Sequence, residues 1–297
     1  MVKTTQIAML SALLGLISVQ TGAAFAKSLF PLIGADGVAA VRLGISSIVL
    51  ALVLRPWRLW ALKTIKPLHL VLYGLMLGLM NVLIYRAFSY IPVSIAVSIE
   101  VIGPLAVALL GSRKKQDLLW IALSVLGLVL LPWGNLDHGL DYRGVGFALA
   151  AAFCWALYVV MGTRVASGGS QSVASGMLVA ALFIVPMGAG QAGAALMSPS
   201  MLMLGLLVAL LSSVFPYVLD MVAMQRLPSR VFGVLLSGSP AVSAVAGWVV
   251  LGETLSMTQI CGIGAITLAC AGCAYLSGKA RDDILEVIAD PKEKAHS

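Results

Sequence analysis

Charge is what this sequence has least of. Only 10% of its 297 residues are charged, against about 25% in an average soluble domain, while 60% are hydrophobic. An ordinary soluble domain is thereby excluded. Histidine is scarce, and His69, His138 and His296 fall at or beyond the ends of the apolar stretches. There is no His-Glu-x-x-His pair for zinc and no glycine-rich phosphate loop ending in Lys-Ser/Thr, so nucleotide hydrolysis of that kind is not expected. The four cysteines (Cys154, Cys261, Cys270, Cys273) all lie inside apolar stretches. Cys270-x-x-Cys273 has the spacing of a metal or redox pair, but a zinc site wants further ligands. The cysteines read as small packing residues, and no metal or cofactor is expected. The net charge of +7 comes from Lys and Arg in short loops. That pattern fits the positive-inside rule of membrane proteins and not a nucleic-acid surface.

What the sequence has is long apolar runs. A helix needs about 20 mostly apolar residues to cross a bilayer. Ten such runs occur, near 7–26, 37–54, 68–88, 93–111, 117–134, 144–162, 173–191, 201–224, 231–251 and 257–277. A β-barrel would alternate in polarity along each strand, and runs such as 123–131 do not. The fold class is therefore an all-α integral membrane protein with ten transmembrane helices. The first run, with Lys3 before it and Ala24-Phe25-Ala26 after, imitates a cleavable secretory signal. It is expected to remain as a span, because its loss would deprive one half of the chain of its first helix.

The halves are related by an internal repeat. Pro92 and Pro104 recur as Pro228 and Pro240, Ala87 as Ala223, and Gly111 as Gly247, all at an offset of 136 residues. The chain reads as two five-helix copies, 7–135 and 140–278, followed by a charged tail, 279–297, expected to be solvated on the cytoplasmic side. Five is odd, so the second copy enters the membrane inverted. Arg55, Arg58, Lys63 and Lys66 follow span two, while the counterpart segment 188–200 has no basic residue; Arg113, Lys114 and Lys115 follow span four, where the counterpart has Glu253. The loop around Pro92 lacks Lys and Arg, and its counterpart is flanked by Arg226 and Arg230. The charges follow whichever copy faces the cytoplasm and place both termini there. Inverted repeats are a device of transporters, with substrate handled between the copies.

Charges at membrane depth are costly and so are candidates for function. Glu100 lies about eight residues into span four, roughly 12 Å deep. Pro104, four residues on, cannot donate to the Glu100 carbonyl. A carboxyl and a freed backbone oxygen thus coincide near a kink, and Ala96, Gly103 and Pro104 on the same face leave room for a cavity. Such a carboxyl is a candidate proton carrier; the structural alternative is a hydrogen bond between helices. Asp220 shares a face with Ser213, Pro216 and Tyr217, and Pro216 frees the Ser212 carbonyl. Arg42 suits a substrate carboxylate or a structural pair with Asp36 or Glu100. Lys27 could also meet a carboxylate, although Lys27 and Arg86 lie where long side chains snorkel to the interface. Gln20, Asn81, Tyr85, Trp155 and Tyr158 offer hydrogen bonds or ring faces to a pathway, or simply to neighbouring helices. Gly74-x-x-x-Gly78 permits close helix contact. Pro104, Pro216 and Pro240 are the expected helix breaks. With no nucleotide site, an ion gradient is the natural energy source, and the proton leads.

The stretches Gly22-Ala23, Ala26-Lys27-Ser28-Leu29-Phe30-Pro31-Leu32, Gly103-Pro104-Leu105-Ala106-Val107-Ala108-Leu109, Phe215-Pro216-Tyr217, Arg226-Leu227-Pro228, Phe232-Gly233 and Leu251-Gly252-Glu253-Thr254-Leu255 resemble the drug/metabolite transporter superfamily with its two EamA-type repeats. More narrowly, they resemble its bacterial threonine/homoserine exporters. The resemblance implies an inner-membrane exporter of small amino acids working by proton exchange, and the direction of transport comes from it alone. It matches Asp220 to an acidic position of the family. One departure is Ser239, where the family often has an acid just before the proline of span nine; if that acid holds the substrate amine, specificity here has shifted. The alternatives are a carrier of purines, cationic drugs or other small polar solutes, a membrane-embedded enzyme using the carboxylates as acid and base, and a non-catalytic scaffold. An enzyme would need no inverted halves and would form product without a second compartment.

Overall fold

The computed structural model describes residues 2–58, 65–110, 117–131, 141–193, 198–216, 219, 223 and 235–289. In chain order its helices are α1 (Val2–Ser28), α2 (Phe30–Leu54), α3 (Pro67–Phe88), α4 (Val93–Glu100), α5 (Ile102–Leu110), α6 (Asp117–Leu130), α7 (Tyr142–Val165), α8 (Gly169–Ala192), α9 (Pro199–Ala209), α10 (Ser239–Leu251) and α11 (Met257–Ala289). No strand occurs among the described residues. The stretches Gln6–Ser28, Phe30–Leu54, Pro67–Phe88 and Tyr142–Ala192 are long and apolar enough to cross a bilayer, and shorter apolar helices fill the other expected runs. Leu52, Leu182, Met203, Trp248, Val249 and Leu268 are all more than 60% exposed. An outward band of that kind is stable only against lipid. The chain is a multi-pass membrane protein.

Prolines mark several starts: Pro31, Pro67, Pro199 and Pro240 occupy the first helical turns, where the missing N–H has no intrahelical partner to lose. Inside spans they do more. Runs 93–111 and 231–251 are each expected as one helix, and both are interrupted. The chain turns at Val101 between α4 and α5, and at Ser237-Gly238 before α10. Each break comes three residues ahead of a proline, Pro104 or Pro240, which cannot bond the carbonyl four residues back and crowds it. Span eight is altered differently: Leu210–Val214 form a π turn in which the Phe215 N–H reaches back to the Leu210 carbonyl.

The tightest neighbours are α2 with α8, α3 with α7 and with α8, and α6 with α11. α10 lies against α1 and α4, α7 against α4 and α5, and α9 with its π turn against α1 and α2. One buried cluster runs through both halves, from Ala23 and Leu43 to Ile266 and Ala269. Glycine sets the spacing, as the Gly74/Gly78 pattern suggests. A side chain at Gly74 would meet the Gly176 carbonyl and Val179 of α8, and one at Gly78 would meet Ile184 and Ala180. Gly103 departs from expectation. The space that its missing Cβ would open is filled by the Ala152 backbone of α7.

Gly103→Ala should therefore part α5 from α7 and cost about 1–3 kcal/mol, seen as a lower melting midpoint in detergent. Gly146→Ala, with nothing within 4 Å of the new Cβ, should melt at the original temperature or slightly above it.

Candidate functional site

Each interruption of a helix in lipid leaves backbone groups that water cannot reach, and some other group must satisfy them. The π turn frees carbonyls on the face towards α1 and α2. Ser18 of α1 donates its hydroxyl to the Leu211 carbonyl at 2.7 Å. Arg42 of α2 donates from Nη2 to the Ser212 carbonyl at 3.2 Å, the oxygen to which Pro216 offers no N–H. The same guanidinium reaches the Ser213 hydroxyl at 3.4 Å and the Tyr85 hydroxyl at 2.9 Å, and lies over the Tyr85 ring, 5.4 Å from its centre. Tyr85 is itself held by Phe30 and Phe88. Arg42 is thus fixed between α2, α3 and the π turn, and its contacts among the described residues are all to neutral groups.

Glu100 closes α4 and is buried, 8% exposed. Among the described residues its carboxyl accepts no hydrogen bond and joins no ion pair, and Arg42 is the cation whose field reaches it. The break beyond it is not matched in the other half. There Ser239 donates its hydroxyl at 2.6 Å to the Leu236 carbonyl, the oxygen that Pro240 leaves free. In α5 the residue before the proline is Gly103, which has no side chain to offer the Glu100 carbonyl. Among the described residues, the first break therefore keeps both a carbonyl with no donor and a carboxyl with no partner.

The other cations are committed elsewhere. Arg86 makes a two-pronged pair with Asp36, 2.8 and 2.7 Å, so Asp36 is not the partner of Arg42. Lys27 is not left to the interface. It donates to Glu253 at 2.7 Å and to the Ile91 carbonyl at 3.1 Å. Glu253 in turn accepts the Val93 N–H, with 3.0 Å to the nearer oxygen. Gly252, with φ of +67°, caps α10 and turns the chain so that Glu253 points back. Charge counting sees only an acid outside the cytoplasmic loops; a lysine expected on the same side is the available clue.

Asn81 and Gln20 are buried, with Asn81 donating to its own helix at Leu77. Tyr158 stacks on Tyr73 and shares a 2.8 Å hydroxyl contact with it, in a separate cluster with Ile65, Leu70 and Val165. Trp155 packs on the main core. Pro216 and Pro240 are buried at their breaks. Asp220 and Tyr217 lie outside the described residues.

Comparison with known proteins gives these features a setting. Residues 142–275 match the EamA-like transporter family. The chain is 48% identical over 262 residues, 88% of each protein, to the threonine/homoserine exporter RhtA of Escherichia coli strain K12, and equally to that of Salmonella typhimurium strain LT2. A crystal structure 20% identical in sequence superposes with a TM-score of 0.58, covering 94% of this chain and 97% of that one. At that identity it establishes the fold alone.

Ser18→Ala and Ser239→Ala each strip the donor from a freed carbonyl in an apolar setting. Each should destabilise by about 1–3 kcal/mol in thermal unfolding in detergent. Ser28→Ala, which loses only an exposed bond to Phe25, should stay within about 0.5 kcal/mol.

Proposed function

Because the chain belongs to the EamA-like transporter family, in the group that holds the threonine/homoserine exporters, we propose that it exports small amino acids of that kind in exchange for protons. The observation that carries this reading is a fixed guanidinium, Arg42, whose field reaches a buried carboxyl, Glu100, that no described residue engages. An α-amino acid is a zwitterion. Its carboxylate suits Arg42, whose planar fork favours carboxylates, and its ammonium suits Glu100 and the bare carbonyl beside it. A proton on Glu100 removes the charge that holds the ammonium, so proton and substrate compete for one site. Competition of that kind is what makes an exchanger: the proton entering from outside expels the amino acid, and the amino acid loaded inside expels the proton. Gln20, Asn81 and Tyr85 serve as further polar lining, and Asp220 and Tyr217, known here from sequence spacing alone, are the residues of span eight that join them in this reading. The protein in this reading is a carrier and not an enzyme.

Ten spans in two inverted copies, 7–135 and 140–278, give this site its two exits. The packing supports that reading. A shift of 136 residues turns the α3–α7 contact into that of α9 with α1, α3–α8 into α9–α2, and α1–α10 into α7 with α4 and α5, while α2–α8 maps on itself. The breaks at Val101 and Ser237 are also 136 apart. The basic loops orient both termini, and the tail 279–297, to the cytoplasm of a bacterial inner membrane. α11 continues as helix to Ala289, into that tail.

In proteoliposomes, Glu100→Gln, which removes for good the charge that holds the ammonium, should abolish pH-driven threonine flux and make the remaining exchange of labelled threonine weak and independent of pH; undiminished pH-driven flux would remove Glu100 from the mechanism. Arg42→Ala should weaken apparent threonine affinity about 10–100-fold, the worth of a charged hydrogen bond or two. It should leave threoninol, which lacks the carboxylate, unaffected in competition. If nucleosides or cationic dyes drive counterflow and amino acids do not, the substrate class is another.

A further inference from the structure

Glu253 ties together three helices, two of them distant from it in sequence. Through Lys27 it holds the end of α1, through the Val93 N–H it caps the first turn of α4, and its own backbone ties back to α10 by a 3.2 Å bond from its N–H to the Gly247 carbonyl. Lys27 closes the ring by donating to Ile91, just ahead of α4. α1 and α4 belong to the first half of the chain, and Glu253 to the second. The charge pattern that places the termini inside places this ring on the outer side. Two other described bonds join the halves there: Gln259 donates to the Leu131 carbonyl at 3.5 Å, tying α11 to the end of α6, and the Asp36 N–H donates to Gln191, tying α2 to α8, where Gly188 is seated against the Asp36 backbone. The α2–α8 contact is closely fitted; among the described residues the Glu253 ring is the one that sets an ion pair across the two halves.

Three observations make the ring releasable. Its side chains are neither fully exposed nor sealed, Lys27 at 22% and Glu253 at 13%. Glu253 also borders a cleft of about 550 Å³ between α10 and α11, walled mainly by the apolar side chains of Ala244, Val245, Trp248, Leu255 and Ile263, so the packing on this side of the ring is loose. Lastly, everything Glu253 binds is a donor suited to a carboxylate, so another carboxylate can take its place without leaving a buried group unpaired. α4 connects this ring to the binding site: Val93 begins the helix and Glu100 ends it.

Resting on the exporter reading above, we propose that Lys27, Glu253 and the Val93 N–H form the outer gate of the transport path. The gate opens when the carboxylate of an outgoing amino acid displaces Glu253 from Lys27 and the α4 N-terminus. The full chain, with its four native cysteines replaced by serine, tests this in two ways. With Ser94→Cys, one residue into α4 and buried, a membrane-impermeant thiol reagent added outside should react at least tenfold faster when Glu253→Gln is also present. Saturating threonine should accelerate the reaction in the protein that keeps Glu253, and threoninol should not. In a Lys27→Cys/Glu253→Cys chain, a bifunctional methanethiosulfonate should cut threonine flux at least tenfold, and reductant should restore it, which excludes misfolding as the cause. Equal labelling rates with and without Glu253→Gln, or full flux through the cross-linked protein, would overturn the gate. A wild-type chain that moves no amino acid sinks the exporter reading; the E253Q labelling comparison then still decides the gate, faster reaction supporting it and an unchanged rate rejecting it.

Discussion

A backbone group freed inside a bilayer has no water to turn to, and most of the polar chemistry of this protein answers that one constraint. The π turn of span eight gives up the carbonyls of Leu211 and Ser212, and Ser18 and Arg42 take them. Pro240 frees the Leu236 carbonyl, and Ser239 takes it. The start of α4 exposes an N–H at Val93, and Glu253 accepts it, while Lys27 serves the Ile91 carbonyl next door. Charges that look extravagant in an apolar sequence are mostly repairs to interrupted helices. Against that background Glu100 stands apart, since among the described residues nothing engages its carboxyl.

The repairs also explain how a mobile protein keeps its charges in place. Arg42 is oriented by a ring, two hydroxyls and a carbonyl, none of which neutralises it. A guanidinium pinned by an acid would have little left for a substrate; one pinned by neutral dipoles keeps its attraction for an anion. Asp36 and Arg86 show the other outcome. Their two-pronged pair is self-sufficient, and its role is to fasten α2 to α3.

Much of this is legible in the residues. Run length gives the helices, and every expected run carries helix where it is described. Pro104, Pro216 and Pro240 mark the three altered spans, and the proline rule names the Ser212 carbonyl as free, where Arg42 then sits. The misses share a cause. Sequence spacing locates a freed backbone group but not the side chain that will reach it, because the partners of Lys27, Arg42 and Arg86 come from other helices. Nor does spacing tell a cavity from a contact. Gly103 reads as empty space, and it is where α7 lies against α5. The π turn has no sequence mark beyond the proline that follows it.

The difference between Ser239 and Gly103 has one more consequence. The two helices are interrupted 136 residues apart, yet Leu236 stands where the first has Glu100, and the second break is stitched shut by its own serine. One break thus keeps a buried carboxyl that no described residue engages, and the other is satisfied by its own serine. Two interruptions at the same offset differ in what a single side chain beside each proline can offer.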